Sequence, residues 1–432
     1  MTNVGDATDA GHATDGGAVG TLDRERIREL FDLRLSYNAL FGGTYGEDPY
    51  PIWHRLREQA PVHAGIVHEL TGFAGPAFFH GLPEPDRPHF SAFSYEACDA
   101  AYRNDEVFAS SPEAAPVDLD GELAVTNSML SMGGAQHRRY RGLVQPSFVP
   151  AKAEWWITNW IDRTVNLLID RLLEDGRAEL NVDFCAAIPV LTITGSFGIA
   201  VDKALDIRAA LHMPGAVVEM IRPIVAARRE EPRDDLISVL VEAELTDEDG
   251  VRHRLSDPEI YSFALLLLAA GSGTTWKQMG ITLAALLRQP DVLQAVRDDR
   301  QLLRPAIEES LRWSPTDPMF SRWVTQDIDF YGQPIPRGSV IHICLGAANR
   351  DPARWERPDD YDIHRPVKPS LAFGSGAHVC LGMHVARAEM AVGIGALLDR
   401  LPNLRVDPDA EPPQIIGMYE RGAMEIRVAW DA

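Results

Sequence analysis

Apolar residues recur at helical spacing along most of this chain, and short alternating runs are few. The segments from Glu154 to Leu173 and from Pro189 to Phe197 read as helices, with Trp155, Trp156 and Trp160 on their core faces. Pro49 to Glu58 reads as a helix after a turn, and Pro88 to Ser94 as a strand. An apolar helix is expected from about Leu381 to Leu398. The longest predicted element starts at Ser256-Asp-Pro-Glu259, where Ser256 caps, Pro258 suits the first turn and Glu259 reaches back. It can run to about Arg288, before Pro290, a length of about 45–50 Å at the standard rise.

Between these elements lie loops. His68 to Asp86, with several Gly and Pro, reads as a surface hairpin or loop. Ser111 to Gly134 reads as a loop that ends in the sulfur-rich Ser128-Met-Leu-Ser-Met132. Residues 1–30 are expected to form a disordered tail, rich at its start in Gly, Ala, Asp and Thr, and residues 31–432 a single domain.

The chain has 432 residues, of which 45% are hydrophobic and 24% charged, enough to bury a large core. Its net charge of −22 argues against nucleic acid as a partner. Cys98, Cys185, Cys344 and Cys380 are widely spaced, which excludes a disulfide scaffold or a zinc pair and fits a reducing cytoplasm. No signal peptide is visible, and the longest apolar run, Phe263 to Ala270, is too short to serve as a membrane anchor.

The chemistry centres on Phe373-Gly-Ser-Gly-Ala-His-Val-Cys-Leu-Gly382. Gly374 and Gly376 permit a tight turn and close approach to a flat object. Cys380 precedes the apolar helix, whose N-terminal amides favour a thiolate. A thiolate there is a strong axial ligand for haem iron. A buried free cysteine is the plainer alternative. Upstream, His137 and Arg141 share one helical face and can hold one anionic group. Arg138 and Arg139 point elsewhere and form a positive patch on an acidic protein, suited to an acidic electron donor.

Phe373, Gly376, Cys380 and Gly382 fall on a Phe-x-x-Gly-x-x-x-Cys-x-Gly spacing that resembles the haem-ligand loop of the cytochrome P-450 superfamily, and Ala386, Arg387 and Glu389 continue the likeness. The resemblance runs from about residue 31 to the end. It implies a mainly α triangular fold with a small β region, with haem b between the long central helix and the Cys380 loop. It implies that His137, Arg141, Arg322 and His378 bind the haem propionates, and that Glu309, Arg312 and Arg365 form a structural charge cluster. Substrate contacts are implied at Met129, Leu268, Ala269, Met319, Phe320, Met418 and Tyr419.

The middle of the predicted central helix reads Ala270-Gly-Ser-Gly-Thr-Thr275. In the resembling family an acid and an alcohol here manage proton delivery during dioxygen activation. Here Thr274 keeps the alcohol, Gly273 replaces the acid, and no Asp or Glu occurs from Ile260 to Pro290. Proton transfer is therefore expected through water, Ser272, Thr274 or a substrate group, with Gly271 leaving room for ligand. The short interval from Gly198 to Asp235, interrupted at Pro214-Gly215, predicts a shortened lid.

The activity implied is that of a soluble bacterial-type monooxygenase, using dioxygen and electrons from a ferredoxin- or flavodoxin-type partner to oxidise a hydrophobic small molecule. The missing acid keeps a peroxide-driven or oxidative-coupling enzyme open. The shortened lid keeps open a haem-binding protein without enzymatic activity.

Overall fold

The computed structural model describes residues 22–73, 86–111, 128–246 and 249–431. Most of residues 1–30, part of the 68–86 loop and most of the 111–134 loop lie outside them. The fold is mainly α, with a small β region. Helix α1 (Arg24–Phe31) buries Ile27, Leu30 and Phe31 in the main core, so the packed domain begins ahead of residue 31, the boundary expected from composition. Asp23 caps it by accepting from the amides of Glu25 and Arg26.

Helix α2 (Tyr95–Arg103), helix α3 (Gly134–Val144) and helix α4 (Ala187–Ser196) follow. The lid region is two helices, α5 (Ala204–Ala210) and α6 (Pro214–Glu230). Pro214 takes the first turn of α6, where its missing amide costs nothing. The residues 67–71 form a short helix where a loop was expected.

The predicted central helix is two helices end to end, α7 (Asp257–Gly273) and α8 (Thr275–Leu287). The start is as expected: the Ser256 amide and hydroxyl both donate to Glu259 Oε2 at 2.8 Å. The break at Thr274 differs from the single rod expected. Two glycines weaken the ladder there, and the Thr274 hydroxyl donates back to Ala270 O at 3.4 Å, a bond that bends helices. Helix α9 (Leu303–Trp313) and helix α10 (Met383–Arg400) complete the frame, α10 beginning two residues later than expected.

The larger sheet joins β1 (Val62–Ala64), β2 (His89–Ala92), β3 (Phe108–Ala109), β4 (Phe320–Val324) and β5 (Val340–Ile343), in the order β1-β2-β5-β4-β3. Only β2 and β5 are parallel. Arg322 lies opposite Ile341 in this sheet, which fixes where its side chain leaves the strand. A hairpin of β6 (Gln414–Ile416) and β7 (Gly422–Met424) packs on α8 and presents Met418, Tyr419 and Glu420 at its turn. Among the described residues no single helix is long and apolar enough to cross a membrane.

Candidate functional site

Cys380 lies between Val379 and the start of α10. Gly374 and Gly376 have φ of 71° and 74°, the left-handed region that glycine reaches without strain. At Gly376 a side chain would also meet the carbonyl oxygen of Tyr102 at 2.5 Å, so the loop lies directly on α2. The Cys380 amide closes the turn by donating to Phe373 O at 2.8 Å. Arg387 stacks on the Phe373 ring at 4.6 Å and pairs with Glu308, tying loop, α10 and α9 together.

Cys380 is exposed to solvent, although protein atoms crowd around it. Cys98, Cys185 and Cys344 are buried. Ala269 and Ala270 are exposed near the end of α7, whose preceding turn is mostly buried. Burial pushes the thiol up, and this outweighs the Gly382 amide and the charges of Arg141 and Arg387. The expected help from the helix amides is present at Gly382 but smaller than the effect of burial, because α10 begins beyond the sulfur. Coordination to a metal would supply the missing drive for deprotonation.

Four basic side chains gather beside the loop. Arg141 Nη2 donates to Val379 O at 2.7 Å, and Arg322 Nη1 to Ser321 O at 2.8 Å. The imidazoles of His137 and His378 stack at 3.9 Å, and His378 Nε2 is 3.0 Å from Ser110 Oγ. Burial and the neighbouring cations hold His137 down at about 4 and His378 at about 3. Burial likewise lowers both arginines. Among the described residues none of the four makes a salt bridge to a carboxylate. Tyr102, whose buried hydroxyl has no hydrogen-bond partner among the described residues, lies beneath the Arg322 guanidinium at 5.5 Å. The two half-buried guanidinia lack a counter-charge among the described residues, and an anionic ligand would supply one. The residues therefore fit haem: an accessible sulfur and, beside its loop, a cluster of donors for two propionates.

The remaining predicted residues divide. Glu309 and Arg312 pair at 2.7 Å, Arg365 Nε donates to the same Glu309 oxygen at 3.1 Å, and both arginines reach carbonyls of the 356–360 segment. Thr274 is half-buried beside Ala270. Ser272 is buried and faces Arg208 at 3.5 Å, and Gly271 packs against Ile193 of α4, so neither lies with Thr274 on the accessible face. Gly382 caps α10. Of the substrate candidates, Ala269 and Phe320 remain accessible. Leu268, Met319, Met418 and Tyr419 are core, Tyr419 holding His68 Nδ1 at 2.8 Å, and Met129 packs beside Tyr140 and Phe263. Arg138 is exposed, whereas Arg139 is half-buried.

Sequence reasoning missed Tyr102, Asp317, Lys277 and Glu420. Lys277 carried a usable signal, because a lone cation inside an apolar helix demands a partner. A separate cavity of about 620 Å³, lined by Arg24, Arg34, Arg177 and Glu179, lies away from Cys380, and those arginines are already paired with Asp183, Asp32 and Asp409.

A model of the cytochrome P450 family matches residues 212–420. Cytochrome P450 107B1 of Saccharopolyspora erythraea is 36% identical over 292 residues, 64% of this chain and 71% of that one. Putative cytochrome P450 123 of Mycobacterium tuberculosis is 31% identical over 386 residues, 84% and 90% of the two chains. The crystal structure of the myxobacterial cytochrome P450 CYP267B1 in complex with myristic acid superposes with a TM-score of 0.76 at 27% identity, covering 92% of this chain and all of that one. The chain belongs to the cytochrome P450 superfamily, with its triangular, mainly α fold, and is an oxidoreductase of the monooxygenase type.

Proposed function

We propose that this chain is a haem-thiolate monooxygenase that inserts oxygen into a hydrophobic small molecule, with Cys380 as the axial ligand of haem b. The observation that carries this reading is the exposed Cys380 sulfur with four basic side chains beside its loop, none of them paired with a carboxylate among the described residues. His137, Arg141, Arg322 and His378 would hold the propionates, Tyr102 adding a hydroxyl. When bound, haem supplies reductive activation of dioxygen.

The chain's own residues govern access and protons. Accessible Ala269 and Ala270 leave room for substrate beside Thr274. Thr274 presents a hydroxyl at this face and passes a proton from water to the reacting oxygen. Gly273 offers no carboxylate there. Exposed Arg138 suits docking of an acidic ferredoxin- or flavodoxin-type donor. Four free cysteines accord with a reducing cytoplasm, and residues from Leu22 onward act as one domain.

The test is spectroscopic. Reduced protein treated with carbon monoxide should show the absorption band of sulfur-ligated haem, and Cys380→Ser should abolish it while leaving the fold intact. A band unchanged in that variant rejects the assignment.

A further inference from the structure

Near the end of α7 the exposed Ala269 and Ala270 are followed by Gly273, four and three residues further on. At about 3.6 residues per turn, the Gly273 side-chain position falls one turn above the two alanines and, in projection, between them. The three positions form one strip, with Thr274 along its edge. A Cβ built on Gly273 would meet a single atom within 4 Å, Arg208 Nη1 at 3.4 Å. The strip is therefore open at Gly273 except for this guanidinium. Nη1 also donates to Ser272 Oγ at 3.5 Å, which puts the cation on the Ala269 side of the strip, at its far end.

Arg208 comes from α5 and is held from behind. Its Nη2 reaches Asn38 Oδ1 at 3.4 Å, and the Asn38 amide is itself fixed by donating to the carbonyls of Leu30 and Asp32, each at 3.1 Å. The Phe31 ring lies beneath the guanidinium at 4.9 Å. The contacts to Ser272 and Asn38 are long and go to neutral groups, so they orient the cation without neutralising it. From Ile260 to Pro290 the chain supplies no Asp or Glu of its own. A preorganised cation is thus directed at the place where the helix has left out a carboxylate.

We infer that Arg208 binds a carboxylate of the substrate, which is therefore an otherwise apolar small molecule bearing a carboxylic acid. The acid group lies over Gly273, in the space that a side chain there would fill, and the apolar part runs along Ala269 and Ala270. The inference rests on the monooxygenase reading only for calling the occupant a substrate. A guanidinium fixes the direction of a carboxylate as well as its position, where apolar walls alone would leave several poses open.

The test is equilibrium dialysis of the haem-loaded protein with 6-phenylhexanoate and with its uncharged isostere 6-phenylhexanamide, at about pH 8, where the acid is ionised. Wild type should prefer the acid on the order of tenfold, the scale of one charge-assisted pair in a partly desolvated site. Arg208→Gln should lose that preference and Arg208→Lys should keep part of it. Equal binding of the two probes by wild type overturns the inference, and so does a preference that survives in Arg208→Gln, which would assign it to the iron. If Arg208→Gln takes up no haem, Gly273→Asp decides, because it sets a carboxylate of the chain against the unaltered guanidinium. The acid preference should vanish in that variant, and its survival likewise overturns the inference. The carbon monoxide band is read on the same samples, so its absence counts against the cofactor assignment while the probe ratio still decides this inference.

Discussion

The Arg208 guanidinium lies 3.4 Å from the point where a side chain on Gly273 would begin. It also reaches Ser272 Oγ at 3.5 Å and Asn38 Oδ1 at 3.4 Å, and covers the Phe31 ring at 4.9 Å. The position without an acid thus faces the flexible end of a buried cation. Gly273→Ala adds a methyl that this guanidinium can accommodate, and it removes a glycine from a helix end, a gain of up to about 1 kcal/mol. Gly271→Ala drives a methyl to within 2.8 Å of Ile193 Cγ1, in a packed interface where such overfilling costs about 1–3 kcal/mol. Denaturant titration of both variants should give opposite signs. Two shifts of the same sign would mean that packing on α4 does not decide the outcome.

Thr274 and Ser272 separate on the same reasoning. Thr274 sits beside exposed Ala270, whereas Ser272 is buried toward Arg208. Thr274→Ala should therefore lower the product formed per reductant consumed, by several-fold, with haem content unchanged. Ser272→Ala should leave that ratio near wild type. Measured coupling in both variants checks the assignment, and equal losses would place the hydroxyls in one relay instead.

Local rules made much of this legible. The Cys380 loop announced itself through glycine spacing, and both glycines adopt positive φ as the turn requires. The Ser256–Glu259 cap and the i, i+4 pair His137 and Arg141 are short-range patterns, readable without tertiary information. What stayed hidden depends on contacts between distant segments. Tyr102 carries no local signal beyond an amphipathic helix, and only the approach of Arg322 from β4 gives its hydroxyl a setting. Lys277, Asp317 and Glu420 are separated by some forty and a hundred residues, so no window contains the cluster. The break at Thr274 arose from a side-chain bond that competes with the helix ladder.

Glu389 gives a prediction in pH. It is buried on α10, and burial pushes its carboxyl from 4.5 up to about 8 although the hydroxyls of Thr192 and Thr275 favour the charged form. The folded chain therefore keeps this proton over a range in which the unfolded chain has lost it. Because the native state binds more protons between those values, stability falls as pH rises through the window. The slope from this one group approaches roughly 1.4 kcal/mol per pH unit at most. Glu389→Gln, neutral throughout, should be less dependent on pH and should gain on wild type between about pH 5 and about pH 8. Parallel slopes in denaturation experiments would show that Glu389 ionises normally.

Glu309 supplies the most severe substitution. Its side chain is buried, and it pairs with Arg312 through both oxygens and with Arg365 through one. The two guanidinia also hold carbonyls of Asn349, Glu356, Arg357, Pro358 and Asp360, so the carboxylate fixes the segment that leads into the Cys380 loop. Glu309→Gln keeps the volume but leaves two cations without their shared charge, and breaking a buried pair in this way costs about 3–5 kcal/mol. The loop carrying Cys380 should lose its register before the helical frame melts. Haem retention should therefore fall at denaturant concentrations where far-ultraviolet circular dichroism is still native. Arg365→Lys, which keeps charge but not the planar fork, should show a milder form of the same separation. If haem loss and helix melting stay coincident in both variants, the cluster supports the whole fold and has no particular hold on the ligand loop.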